Sequence, residues 1–315
     1  MQETRRQVLD AIADGPVAGP DLAAALDVSR AAVWKHVEAL REAGFDIDAD
    51  DGYRLVGTPS FGATAVEYGL DAPFEVEFHE TIGSTNDRAR HLARADRTDI
   101  VVLADEQTGG RGRLAREWAS PSGGVWLSIL LRPAVGPARA PLFTLAAAVA
   151  TTRAARRAGV DASIKWPNDV LAGDREAKLA GILTEMGGET GRLDWLVVGI
   201  GVNADVDPAA VSTDRPATSL RAELDGGDVD RRTFTRNLLE AFHALRSEPA
   251  AILSAWRTHA STPGRQVRIE TPDGPVTGRA VDVVPPGSLV VETDSGRERV
   301  SAGDCEHLRP VSNNT

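Results

Sequence analysis

The run GRGRLAREWASPSG, Gly110 to Gly123, most constrains the fold, because no helical or strand period accounts for it. It places Arg111, Arg113 and Arg116 in a stretch broken by Gly110 and Gly112. Glycine opens backbone conformations closed to other residues and lets main-chain amides approach a ligand. Guanidinium forks grip carboxylate or phosphate oxygens in pairs. The segment therefore reads as a loop that closes over an anion, against the plainer alternative of a solvated basic loop. Two further stretches favour the anion loop: GSTND at 83 to 87 and KWPND at 165 to 169.

These three, together with VGIGVN at 198 to 203, resemble the biotin protein ligase family, specifically its bifunctional members that also repress biotin genes. The resemblance runs in order over nearly the whole chain. It departs at Leu114 and Ala115, which stand where the family often has Arg or Gly followed by Gly. It implies an α+β architecture in three parts. Residues 1–57 would form a winged helix-turn-helix, 58–262 a mixed-sheet catalytic domain of the biotin/lipoate-ligase kind, and 263–315 a small SH3-like β-barrel.

The residues support each part. In the head, Val8, Leu9 and Ile12 recur at helical spacing over Gln2 to Ala13, and a second helix is expected from Pro20 to Leu26. Ser29 is an N-cap for a third helix, Arg30 to Ala43, with Val33, Val37 and Leu40 inward. Phe45 to Val56 reads as a two-stranded wing turning at Asp50-Asp51-Gly52. That order makes the third helix the recognition helix, and Arg30, Lys35, Arg41 and wing residue Arg54 the candidates for DNA contact. The head nevertheless carries six basic side chains against eleven acidic ones, and DNA-binding modules are usually basic. A purely structural or dimerising head is the competing reading.

For the catalytic part, strands are predicted at 74–79, 100–105, 125–131, 162–165, 179–186 and 193–201. Helices are predicted at 85–95, 141–158, 231–246 and 249–259. The order does not suit an uninterrupted βαβ alternation, so a doubly wound fold is disfavoured. GIGVNA, Gly199 to Ala204, fits the loose dinucleotide pattern, but Asp205-Val206-Asp207-Pro208 does not open the helix that motif needs. From Gly264 to Pro310, short β runs at 266–270, 276–284, 289–293 and 298–301 alternate with Pro and Gly turns.

The resemblance also assigns chemistry. The activity it implies is activation of biotin by ATP with Mg²⁺, then transfer to a lysine of a biotin carboxyl carrier domain. Joining two anions requires fixed cations, and Arg113, Arg116 and Lys165 are the candidates. Ser84, Thr85, Asn86 and Gln107, with Arg111 and Gly112 alongside, would hold the biotin ring, while ordinary capping by Ser84 or Thr85 explains part of that pattern equally well. Asn168, Gly199, Gly201 and Asn203 would contact the nucleotide, and Asp169 is the candidate Mg²⁺ ligand. Trp118 and Trp126 are pocket walls or core aromatics, with Trp126 read as core. The partners implied are the carrier domain, operator DNA and a second copy of the chain in a ligand-promoted homodimer.

Composition bounds the remaining classes. Cys305 is the only cysteine, which excludes an internal disulfide and a thiolate zinc cluster and reads as a small buried side chain. With no membrane-length apolar run and no signal segment at Met1, a cytoplasmic protein without membrane contact is expected. The net charge is -11, and Lys35, Lys165 and Lys178 are the only lysines. Such an acidic coat suits a salt-rich cytoplasm, where screening is strong. A lipoate ligase and a non-catalytic biotin-sensing repressor are the alternative functions.

Overall fold

The computed structural model describes residues 1–189, 191–211 and 216–308, save for the Ala115 side chain. They form two compact units, Met1–Asp71 and Ala72–Thr315, so the first unit runs past residue 57 to Asp71.

In the first unit, α1 (Glu3–Ala13), α2 (Gly19–Ala25) and α3 (Arg30–Glu42) are followed by an antiparallel pair, β1 (Asp46–Asp48) and β2 (Arg54–Gly57), and by α4 (Ala63–Glu67). Helical spacing puts Val8, Leu9 and Ile12 of α1 and Val33, Val37 and Leu40 of α3 on one shared core with Leu22, Phe45 and Ile47. Tyr68 closes it edge-on against Phe45, with ring centroids 5.7 Å apart. The α3 start is fixed locally: the Ser29 hydroxyl accepts the Ala32 amide at 3.1 Å. Such a cap satisfies one otherwise unpaired amide of the first turn.

The second unit is built on a seven-stranded mixed sheet. Its strands are β3 (Glu75–Ile82), β4 (Ile100–Gln107), β5 (Val125–Leu131), β6 (Ala162–Lys165), β7 (Asp169–Ala172), β8 (Ala177–Gly187) and β9 (Trp195–Val202). They lie in the order β3-β4-β5-β9-β8-β7-β6. Only β3 and β4 pair in parallel, joined by the crossover helix α5 (Thr85–Ala93). A single βαβ unit in an otherwise antiparallel sheet agrees with the expected mixed sheet. β7 is an addition, a short strand returning directly from the KWPND turn.

The strands alternate faces. Thr184 of β8 meets Thr144 of α6 (Ala140–Arg157) at 2.8 Å. Gly181 and Leu183 line a cavity instead, and Glu185 accepts a hydrogen bond from Asn86 of α5. Behind α6 pack α8 (Arg231–Ser247) and α9 (Pro249–His259), preceded by the short α7 (Leu220–Glu223). Trp126 is fully buried beside Ala104 and Val206, as a core residue.

The small β domain consists of β10 (Gln266–Thr271), β11 (Gly274–Val284), β12 (Ser288–Thr293), β13 (Gly296–Val300) and β14 (Asp304–His307), antiparallel throughout in the order β13-β12-β11-β10-β14. β14 is a strand that the turn-and-run pattern of the sequence does not reveal, and residues 309 and 310 of the expected β segment lie outside the described residues. Cys305 is buried on β14. The domain is tied to the catalytic sheet at the KWPND turn. The Trp166 indole donates to the Gly287 carbonyl at 2.9 Å, and its main-chain amide donates to Thr262 Oγ1 at 2.9 Å.

Because the Ser29 cap belongs to the first unit alone, Ser29→Ala should lower the stability of that unit by about 1 kcal/mol. Denaturant unfolding followed by Trp34 fluorescence should register the loss, with the second unit unchanged.

Candidate active site

A cavity of about 640 Å³ opens over β8 and β9, roofed by the glycine-arginine loop. Its floor depends on two glycines. A Cβ at Gly199 would stand 2.2 Å from Asn86 Oδ1, and one at Gly201 would stand 2.8 Å from the Trp118 indole nitrogen. The strand therefore leaves room for two side chains from elsewhere to lie on it.

One end of the cavity is a neutral hydrogen-bond network at the start of α5. Ser84 caps the helix, accepting the Asp87 amide. Gln107 Oε1 accepts from the Thr85 amide at 2.8 Å and from its hydroxyl at 3.0 Å, while Gln107 Nε2 donates to Ser120. The Ser128 hydroxyl lies 2.7 Å from Thr85 Oγ1 and 2.5 Å from Asn86 Oδ1. Asn86 Nδ2 donates to Glu185 at 2.7 Å. Ser84, Thr85 and Asn86 are nearly buried, so their rotamers are held by partners and not by solvent.

The other end gathers charge of both signs, Arg113, Arg116 and Lys178 beside Asp169, Asp304 and Glu306. Arg113 donates to Asn168 Oδ1 and to the Gly303 carbonyl, both at 2.9 Å, and Arg116 pairs with Asp304 at 2.8 Å. Burial pulls the Arg113 guanidinium below its ordinary value, partly offset by Asp304 and Asp169. It remains protonated, but its charge is poorly hydrated, the condition under which an anion is bound strongly. Lys178 lies 2.8 Å from Asp169 Oδ1 and 4.9 Å from the centre of the Trp118 ring. Lys165, only 5% exposed, lies 3.9 Å from Asp169 Oδ2. Leu114, at the loop tip, is 74% exposed with φ +55°, a left-handed conformation unusual for leucine.

Most of the residues singled out in the sequence converge here. Ser84, Thr85, Asn86, Gln107, Arg111, Gly112, Arg113, Arg116, Asn168, Gly199 and Gly201 all line the cavity. Lys165 stands behind Asp169 and does not line it. Asn203 differs from the sequence reading: it is fully buried, and its amide donates to the carbonyls of Lys178 and Thr218, so it braces the wall. Arg111 is engaged by Asp87 of α5, a tie from the loop to the helix. Lys178 was missed as a site residue. Its rarity in an almost lysine-free chain was the available signal.

Asp169 does not fit a resident magnesium site. Two ammonium groups face its oxygens, and among the described residues no cluster of three or more His, Cys, Asp or Glu could hold a metal.

The comparisons decide the family. The biotin/lipoate A/B protein ligase family model matches residues 78–203, the biotin protein ligase C-terminal domain 262–308, and a helix-turn-helix domain 4–57. The bifunctional ligase/repressor BirA of Bacillus subtilis is 34% identical, covering 92% of this chain and 93% of its own. The chain belongs to the biotin protein ligase family, in its bifunctional ligase/repressor branch. The Escherichia coli BirA is 32% identical over 88% of each chain. The biotin protein ligase of Aquifex aeolicus, solved in complex with biotin and ATP, superposes with a TM-score of 0.58 at 26% identity, covering 74% of this chain and 99% of that one. No helix of the described residues is long and apolar enough to cross a membrane.

Two outcomes test the site. Gly199→Ala should force Asn86 from its seat and abolish biotin binding, measured by calorimetry, while a normal unfolding transition shows the sheet intact. The Asp87 carboxyl is held below the usual range chiefly by Arg111, so the stability of this tie is complete at neutral pH and is lost as pH falls below the ordinary carboxylate value of about 3.9. The deficit of Asp87→Asn should accordingly stay constant from about pH 8 to 5 and shrink only in acid.

Proposed function

We propose that this chain converts biotin and ATP to biotinyl-5'-AMP and passes the biotinyl group to a lysine of a biotin carboxyl carrier domain. The observation that carries the reading is one cavity with an end of uncharged polar side chains and an end that gathers Arg113, Arg116 and Lys178. A ureido ring carries donors and acceptors but no charge, which suits the network of Ser84, Thr85, Asn86 and Gln107. A carboxylate attacking a phosphate brings negative charges together, which suits Arg113, Arg116 and Lys178 on the wall, with Lys165 behind Asp169.

In the first step the biotin carboxylate oxygen attacks the α-phosphorus of ATP and pyrophosphate leaves. Arg113 and the two lysines around Asp169 stabilise the charge that gathers, and Asn168, Gly199, Gly201 and Arg116 position the nucleotide. In the second step the acceptor lysine, as its free amine, attacks the anhydride carbonyl and AMP leaves. Positioning suffices because the anhydride is already reactive. The loop from Thr108 to Glu117 would keep water from the intermediate.

A lipoate ligase is the less favoured substrate reading, because an apolar acyl tail would leave the Thr85–Gln107–Ser128 network without a partner. A sensor without catalysis is disfavoured because the lysines and loop arginines are all in place.

The same proposal gives the head an operator near biotin genes, engaged by a dimer that the adenylate promotes, in the cytoplasm. Arg30 and Lys35 are exposed and form no ion pair among the described residues. Arg41 instead donates to the Ile47 carbonyl at 2.7 and 3.2 Å and pairs with Glu38, and Arg54 pairs with Asp48. Few phosphate contacts are therefore available, and pairing of two heads would raise the effective affinity.

Biotin-dependent ATP/pyrophosphate exchange tests the ligase, with lipoate as control: exchange with lipoate alone would overturn it. Lys165→Ala should slow exchange by about a hundredfold or more, the scale on which lost transition-state donors are felt. Arg113→Ala should release the adenylate, seen as labelling of bystander lysines, more than it weakens biotin capture. Unchanged release would leave Arg113 as a structural tie to Gly303.

A further inference from the structure

Trp34 is among the most exposed large apolar side chains in the molecule, at 56%, and it stands on α3, the fifth residue of that helix. The rest of its face is small or charged. Arg30 lies one turn before it and Glu38 one turn after, with Ala31 and Lys35 beside it, and Arg30, Ala31 and Lys35 are exposed. None of these side chains belongs to the core that Val33, Val37 and Leu40 form on the opposite face. An indole left in water at the centre of a helix face loses the free energy that its burial would give.

We propose that the Trp34 ring reads a thymine in the major groove by apolar contact with its C5-methyl group, and that this contact supplies sequence preference in DNA binding. The inference rests on the operator-binding reading above. In a helix-turn-helix, the N-terminal half of the second helix of the motif meets the base edges, and Trp34 lies in that half of α3. The groove presents the thymine methyl as its one apolar mark, which apolar side chains recognise.

Charge supports the choice of partner and of contact. Arg30 and Lys35 flank the ring and can meet phosphates on either side, whereas Arg41 is turned back onto Ile47 and Glu38 and cannot serve as a base reader in this arrangement. The head carries five net negative charges over its first 57 residues, so general phosphate attraction is weak. A head short of cations must draw more of its affinity from groove contact. Ala31, without a long side chain, leaves the ring room to approach the base.

The test uses the full chain with biotin and ATP. A duplex is first selected from a randomised pool, and each thymine in it is then replaced singly by deoxyuridine, which removes only the methyl. At one thymine per half-site the replacement should weaken binding about fourfold, the worth of one buried methyl group. Trp34→Ala should weaken binding to the unmodified duplex by about tenfold and remove the response at that position, while Trp34→Phe keeps it. Alanine is the stronger helix former, so Trp34→Ala keeps α3, as circular dichroism should register. Binding of wild type with no response to any deoxyuridine, or an equal response in Trp34→Ala, overturns the role of Trp34 alone. Failure of the pool to enrich at any salt concentration overturns operator binding together with it.

Discussion

The seating of Asn86 on Gly199 is the contact on which the rest of the site depends. Asn86 Oδ1 occupies the space a Cβ would take, its amide is held by Glu185, and its oxygen lies beside Ser128 of β5. That one side chain therefore fixes α5 against three strands of the sheet. With the helix fixed, Thr85 meets Gln107 at the end of β4, and Gln107 in turn meets Ser120 beyond the loop. The position of the glycine-arginine loop follows from a chain of hydrogen bonds that starts in the sheet, and buried polar chains of this kind are costly to break in part.

The loop is held at its other end by different chemistry. Arg111 engages Asp87 of α5, while Arg113 and Arg116 reach Asn168, Gly303 and Asp304. Every arginine of the loop thus has an acceptor within the protein. A bound phosphate would exchange with neutral acceptors at Arg113, a carbonyl and an amide oxygen, and with a carboxylate at Arg116. Exchange at Arg113 gains charge pairing that the present partners do not supply, because an ionised acceptor binds more strongly than a neutral one. Exchange at Arg116 trades one anion for another and gains less.

How much was legible from sequence follows from where each signal resides. The strands at 125–131 and 162–165 and the helix at 249–259 are stated in local pattern and fall as predicted. The loop and the GSTND helix start are legible because glycine, caps and clustered arginine are local devices. β7 and β14 were not, since four-residue strands such as DVLA and DCEH have too little alternation to stand out, and they exist because a neighbouring strand pairs with them. Side-chain partners were the least legible. Asn203 looks like a nucleotide contact from its motif, yet the carbonyls of Lys178 and Thr218 claim it; Arg41 looks outward by helical phase, yet the Ile47 carbonyl bends it back. The packing of Tyr68 on Phe45, a contact across 23 positions, has no local signature in the sequence.

Asp169 explains how an almost lysine-free chain can keep two of its three lysines together. Two ammonium groups near one buried wall would repel each other and lose hydration. The carboxylate between them, 2.8 Å from one and 3.9 Å from the other, offsets that repulsion. The wide fork of arginine does not act as a compact point charge. Under the proposed reaction, lysine at these positions supplies the compact positive charge that arginine, which dominates the composition, would not. The same carboxylate is thereby committed to the lysines, which is why a magnesium ion finds no ready ligand set in it.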